Sequence, residues 1–168
     1  MSQYQHVVQP FEPVYDQNSK ILILGSFPSV KSRETGFYYG HKQNRFWRML
    51  SAIFDIEEPV SIEEKKEMLL AHGIAVYDVI ESCDIKGSSD SSIKNVVPAD
   101  IQKIVEKADI GLIILNGGTA SRLFQKYQQA SYTGRVITLP STSPANAAFS
   151  LERLIELWGR EIREDVSE

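Results

Sequence analysis

Apolar positions along the chain gather into four short runs, separated by longer stretches in which they recur at helical spacing. The runs are 21–24 (ILIL), 74–79 (IAVYDV), 110–115 (IGLIIL) and 135–139 (RVITL). Each is rich in Ile, Leu or Val on both faces, the pattern of a strand covered on both sides in a parallel sheet. Helices are predicted between them. Residues 45–54 (RFWRMLSAIF) place apolar side chains on one face, and residues 61–71 open on Ser61 with Glu64 three positions later, a capping box. Residues 98–108 are amphipathic with Pro98 suited to a first turn, and 119–129 and 147–162 complete the set. Strands alternating with helices predict a doubly wound α/β sandwich. No internal repeat or low-complexity linker interrupts it, so residues 1–168 are expected to form a single domain with a frayed tail over 163–168.

In such folds ligands sit outside the carboxyl ends of the strands, so the chemistry is sought in the loop after each run. The first is followed by Gly25, Ser26, Phe27, Pro28 and Ser29, then a long loop ending at Asn44. The second leads into 81–95 (ESCDIKGSSDSSIKN), the third into Asn116-Gly117-Gly118-Thr119, and the fourth into Pro140, Ser141, Thr142, Ser143, Pro144, Ala145 and Asn146. Each loop alone is compatible with ordinary turn chemistry. Four together at one end of a sheet present backbone N–H groups and small hydroxyls to a phosphate or a base. The first loop also sets Phe37, Tyr38 and Tyr39 among Arg33, His41, Lys42, Arg45 and Arg48, the equipment for stacking a base and holding its backbone. Phe46 and Trp47 are expected in the core.

Composition narrows the setting. The chain has 168 residues, 42% hydrophobic and 24% charged, enough to bury the core of one compact domain. A net charge of −4 argues against a protein that coats nucleic acid, because phosphate contacts need clustered Lys and Arg. The charge is uneven: Lys31, Arg33, Lys42, Arg45 and Arg48 face only Glu34, while 55–67 is acidic. A basic patch on an acidic body suits an enzyme that visits DNA and leaves. The lone Cys83 excludes an internal disulfide and fits a reducing compartment. Cys83 and the three His are too scattered for metal-ligand spacing. There is no apolar run of about 18 residues to span a membrane, and residues 1–13 lack the pattern of a secretory signal. A cytoplasmic protein without metal or cofactor is the expectation.

Taken together, GSFPS, GFYYGHKQNRFW, NGGTA and LPSTSPANA resemble the uracil-DNA glycosylase superfamily, and within it the hypoxanthine-DNA (deoxyinosine) glycosylase branch. The resemblance runs from about Ile21 to Leu157. It implies a three-layer sandwich with a short four-stranded parallel sheet between helices. It also implies monofunctional, cofactor-free hydrolysis of the N-glycosidic bond of a deaminated base in DNA, by a monomer. Mismatch-specific relatives carry a water-positioning asparagine in a G-x-N-P-G loop, and that position here is Phe27. The hypoxanthine branch uses the asparagine before R-F-W, which is Asn44. The base-stacking aromatic falls on Tyr39, and the asparagine that reads the base edge on Asn116. The wedge position falls on Ala145, a small plug for the gap left by a flipped base, with Asn146 as the alternative filler.

These residue types fit that chemistry. Breaking the bond builds positive charge on the sugar and negative charge on the departing base. Asn44 is neutral at every working pH, so it can aim a water through its carbonyl, with its NH2 anchored elsewhere, but cannot serve as a strong base. The other reading of Asn44 is a cap on the adjoining helix. Asn116 offers a donor and an acceptor to an amide-like base edge, or is a turn residue before Gly117. Ser26 and Phe27 would complete the base pocket, and Ser141, Thr142 and Ser143 would hold flanking phosphates or cap the last helix. His41, Lys42 and Arg45 are candidate DNA contacts. Asp78 and Asp90 rank below Asn44 for activating water, and Cys83 is expected to be inert. Two other functions remain open at this point: a uracil or mismatch glycosylase of the same fold, and a non-catalytic nucleic-acid-binding module.

Overall fold

The computed structural model describes residues 3–166. Seven strands and six α-helices run in the order β1 (Gln5–Val8), β2 (Ile21–Gly25), α1 (Val30–Thr35), α2 (Phe46–Phe54), α3 (Ile62–Ala71), β3 (Ile74–Asp78), β4 (Ile80–Ile85), β5 (Lys94–Pro98), α4 (Gln102–Lys107), β6 (Leu112–Asn116), α5 (Gly118–Tyr127), β7 (Arg135–Leu139) and α6 (Leu151–Val166). Strands β3, β2, β6 and β7 lie side by side, all parallel, and are the four apolar runs of the sequence. Every residue of β2 and β3 is buried, as continuous apolar runs in a covered parallel sheet require.

The helices bury the faces their periodicity marks. In α2, Phe46, Met49, Leu50 and Ile53 point inward; in α6, Leu154, Trp158 and Ile162 do so, and the two helices pack together. Trp158 satisfies its indole N–H on Pro140 O at 2.9 Å, which ties α6 to the loop after β7. Ser61 caps α3 as expected, its Oγ accepting the Glu64 N–H at 3.0 Å. Glu64 completes only half of the box, since its carboxylate accepts the Ser61 hydroxyl instead of the backbone N–H.

Several expectations are corrected. Residues 81–95 are not one loop: β4 pairs antiparallel with β1 and β5 in a second, three-stranded sheet. Register shifts between Ile80, Ser82 and Asp84 break the period-two pattern that would have marked β4. Pro98 ends β5 instead of opening a helix, and α4 begins at Gln102. Residues 30–35 form α1, capped by Ser29 and closed by Gly36 at φ 87°. The last helix starts at Leu151, with Ser150 Oγ accepting the Arg153 N–H, and runs through Val166. The final two residues of the expected fraying tail lie outside the described residues. One continuous core joins both sheets and the helices. Among the described residues no helix is long and apolar enough to cross a membrane.

Candidate active site

The carboxyl ends of β2, β3, β6 and β7 open on one cleft of about 1330 Å3. It gathers Ser26, Phe27, Tyr39, His41, Asn44, Asp78, Asn116 and Ser141 through Asn146, so most of the residues singled out by sequence converge there. Lys42 is exposed and does not line it. Asp90 lies exposed at its rim.

Asn44 lines the cleft and stands one residue ahead of Arg45, the N-cap of α2. Asn44 Oδ1 accepts the Phe46 N–H at 2.9 Å in the first turn of α2. The carbonyl end is therefore the anchored end, the reverse of the expected anchoring through NH2. A carbonyl oxygen has two lone pairs, so the second remains for a water in the cleft. The loop before it is held by Trp47, whose indole N–H donates to Tyr38 O at 3.1 Å, and by Tyr38, whose hydroxyl donates to Glu12 O at 3.0 Å.

Tyr39 adopts φ 55°, a left-handed conformation that side-chain-bearing residues avoid. Its ring stacks on Phe46 with centroids 4.0 Å apart and planes 21° apart. That contact covers one face, so at most the other can meet a base. The hydroxyl oxygen is buried and has no hydrogen-bond partner among the described residues. Burial, and secondarily the neighbouring Asp78, push its ionisation well above the ordinary tyrosine range, against a weaker opposing pull from the Asn116 side chain, which lies close to the hydroxyl without good hydrogen-bond geometry.

Asp78 closes the floor. It ends β3 directly beside Gly25 at the end of β2 and is 3% exposed. Gln9 Nε2, from the segment after β1, donates to its Oδ2 at 2.9 Å, and Gln9 Oε1 in turn accepts the Phe11 N–H. Burial pushes the Asp78 carboxyl up to about 6, against the opposing pull of Gln9 and the Gly25 backbone. A side chain on Gly25 would place its Cβ 2.6 Å from Asp78 Oδ1 and 3.0 Å from the Tyr39 hydroxyl oxygen, so glycine is what lets both groups pack against the end of β2.

The last loop is built against Asn116. Asn116 Nδ2 donates to Thr142 Oγ1 at 3.1 Å, and its Oδ1 accepts the Thr142 N–H at 3.0 Å. Thr142 has no exposed surface, which corrects its expected role as a phosphate contact: it locks the loop to β6. Arg45 is corrected likewise. Its guanidinium donates to the carbonyls of Thr142, Phe149, Ser143 at 2.8 Å and Asn146 at 3.0 Å, so it clamps the loop and is not displayed to DNA. Ser141 Oγ accepts the Ser143 N–H, and Ser143 Oγ accepts the Ala145 N–H. Asn146 Nδ2 is held by Ser141 O, which removes it as a mobile wedge and leaves Ala145 exposed at the tip. None of these residues caps α6. Gly117, at φ 99°, abuts Ser141 so closely that a Cβ would fall 2.8 Å from Ser141 Cβ.

Sequence reasoning missed Gln9 and the clamp. Gln9 is an unremarkable polar residue far from any motif, and a basic residue in a basic run gives no sign that four carbonyls await it. Cys83 is buried, and burial pushes its thiol up to about 11, so it carries no thiolate at neutral pH. Among the described residues no three of His, Cys, Asp and Glu converge closely enough to hold a metal ion.

Comparison with known proteins places the chain in a family. The pattern of the uracil DNA glycosylase superfamily matches residues 12–160. A hypoxanthine DNA glycosylase of Methanosarcina acetivorans is 35% identical over 145 residues, covering 85% of this chain and 90% of that protein. One from Methanosarcina barkeri is 30% identical over 140 residues, covering 82% and 87%. The solution NMR structure of a Methanosarcina acetivorans protein proposed as a uracil DNA glycosylase superposes with a TM-score of 0.80 at 30% identity, covering 96% of this chain and all of that one.

Proposed function

The chain belongs to the uracil DNA glycosylase superfamily and is a DNA glycosylase; from that premise we propose that it hydrolyses the N-glycosidic bond of deaminated bases, hypoxanthine first among them. The observation that carries this reading is the convergence of Asn44, Asp78, Tyr39 and Asn116 on one cleft at the strand ends. The names of its two relatives favour hypoxanthine over uracil. So does Phe27, in the place where mismatch-specific relatives carry their catalytic asparagine.

In this reading a nucleotide is flipped into the cleft. Asn44, fixed by the Phe46 N–H, holds a water with its second lone pair and aims it at the sugar carbon. Water adds there as the bond to the base breaks, the base leaves with the bonding electrons, and the proton that the added water sheds passes through solvent to the base. No strong base assists, so the rate rests on positioning. Phe27 and Tyr39 border the base, Ser26 contributes at the β2 end, and Asn116 offers its remaining amide N–H and lone pair. Ser141 and Ser143 hold the flanking phosphates, His41 and Lys42 lie along the strand's path, and Pro144 and Ala145 make a shallow insertion. A mispaired hypoxanthine leaves its stack at low cost, which suits a small plug. Residues 1–168 act as one domain and as a cytoplasmic monomer, supported by a single continuous core and a cleft that needs no second subunit.

Duplexes carrying one inosine or one uracil test the reading. The protein is expected to release hypoxanthine, and Asn44→Ala to lose more than about 100-fold in cleavage with DNA binding kept. Uracil release without hypoxanthine release would transfer the assignment to the uracil-specific reading. Unchanged cleavage by Asn44→Ala would place the water elsewhere.

A further inference from the structure

Three features at the cleft floor have no role in water positioning. A carboxylate 3% exposed ends β3. A buried tyrosine hydroxyl has no hydrogen-bond partner among the described residues, on a residue whose backbone is held at φ 55°. The glycine between them lets both groups close onto the end of β2, since a Cβ there would lie 2.6 Å from Asp78 Oδ1 and 3.0 Å from the Tyr39 hydroxyl oxygen. Buried polar groups without partners are rare, because each forfeits its hydrogen bonds to water, and strained backbone concentrates at functional sites. A carboxylate accepts and cannot donate when ionised, whereas a phenol beside it can donate. The floor therefore displays one acceptor next to one donor.

We propose that Asp78 and Tyr39 together select the base, Asp78 Oδ1 accepting the ring N–H of a lactam edge while the Tyr39 hydroxyl donates to the adjacent carbonyl oxygen. The inference rests on the reading of the chain as an enzyme for deaminated bases. Hypoxanthine presents N1–H beside O6, matching the floor in sequence and polarity. Adenine presents the inverse, a bare N1 beside an amino group, so an acceptor would meet an acceptor and a donor a donor. Uracil and cytosine differ in the same way at N3 and position 4. Guanine shares the lactam edge and is set apart by its 2-amino group. Discrimination of this kind is steep, because the wrong base leaves buried polar groups unpaired. It also slows the reaction, since a carboxylate opposes a base leaving with negative charge, and the Tyr39 donor offsets part of that.

Gln9 makes the arrangement directional. Its Nε2 holds Oδ2, and its own Oε1 is held by the Phe11 N–H, so the amide is not free to turn. In Asp78→Asn the side-chain oxygen would stay with Gln9 and the new NH2 would face the base, replacing an acceptor by a donor. That substitution is expected to cut hypoxanthine release by roughly 100-fold or more and to shrink the preference for inosine over adenosine by at least about 10-fold. Tyr39→Phe is expected to cut hypoxanthine release roughly 10-fold without raising release of adenine.

Single-turnover cleavage of matched duplexes with inosine, adenosine, uridine, cytidine or 1-methylinosine at one site, by the intact protein and both variants, tests the inference. The intact protein is expected to reject 1-methylinosine, which has no N1–H, and this arm needs no variant to fold. Retention of the inosine-to-adenosine ratio within about 3-fold in Asp78→Asn, or efficient release of the base of 1-methylinosine, overturns the inference while leaving the hypoxanthine reading intact. If the intact protein releases uracil and not hypoxanthine, the substrate reading fails by itself, and the uridine-to-cytidine ratio in Asp78→Asn decides the role of Asp78 by the same criterion. Release of no deaminated base by the intact protein overturns both.

Discussion

Replacing Asp78 by Asn is expected to stabilise the protein at pH 8 by about 3 kcal/mol while changing nothing at pH 3.5. In the folded protein burial holds the carboxyl at about 6, against 3.8 in the ordinary state. Each tenfold change in proton affinity is worth about 1.36 kcal/mol, so the difference amounts to about 3 kcal/mol. Linkage sets the sign. Between pH 3.8 and 6 the folded state binds the proton more tightly than the unfolded state, so stability falls as pH rises through this interval. Above 6 the folded protein carries a buried charge that the unfolded chain would hold in water, and the full penalty applies. Below 3.8 both states are protonated and the penalty vanishes. Asparagine never takes up that charge and keeps an acceptor for Gln9. For a chain of this size about 1 kcal/mol moves Tm by roughly 2–4 °C, so the variant's advantage is about 6–12 °C at pH 8. Thermal melts of both proteins at pH 3.5, 5, 6, 7 and 8, tracked by circular dichroism, give the difference at each pH. A difference that does not grow between pH 3.5 and 8, or a less stable variant at pH 8, refutes the claim that the site holds a desolvated charge. A variant that is more stable and less selective fits the usual conflict between a stable site and a functional one.

Arg45→Ala is expected to destabilise the fold by about 2–4 kcal/mol, because four loop carbonyls lose a charged donor. Arg45→Lys should restore little, since an ammonium lacks the planar fork; urea melts within about 0.5 kcal/mol of the parent would contradict the clamp. Gly117→Ala is expected to cost about 2 kcal/mol or more, from a left-handed φ and a Cβ driven onto Ser141, with cleavage lost in the same preparation. Asn44→Ala should lower stability by only about 1 kcal/mol, the usual net worth of the one hydrogen bond it accepts from the Phe46 N–H. Denaturant melts therefore separate its structural role from the loss of cleavage, and a loss above about 3 kcal/mol would mean that inactivity reflects unfolding.

Local physics accounts for what was legible beforehand. The parallel sheet announced itself because a strand covered on both faces must be apolar throughout, and the Ile and Leu of β2 and β6 are. The strand-end loops were legible because Gly, Ser, Asn and Pro mark where a chain leaves a sheet. Asn44 before a helical pattern could be read as a cap or as a catalytic group; the N-cap of α2 is its neighbour Arg45, and Asn44 turns its carbonyl onto the Phe46 N–H at the wall of the cleft. The second sheet was hidden, because β1 and β4 are partners separated by more than 70 positions and β4 carries irregular pairing.

The amino-acid sequence by itself determined the α/β architecture, the end of the sheet where the site lies, and the superfamily pattern in its loops. Only the tertiary structure decided what each polar side chain does there. Arg45 and Thr142 looked available to DNA until the fold placed carbonyls and Asn116 against them. Asp78 looked like one acid among many until burial beside Gly25, a brace from Gln9 and the Tyr39 hydroxyl made it the floor of the cleft. The reason is physical: apolar periodicity reports local burial, whereas the partner of a polar group depends on chain segments brought together from far apart.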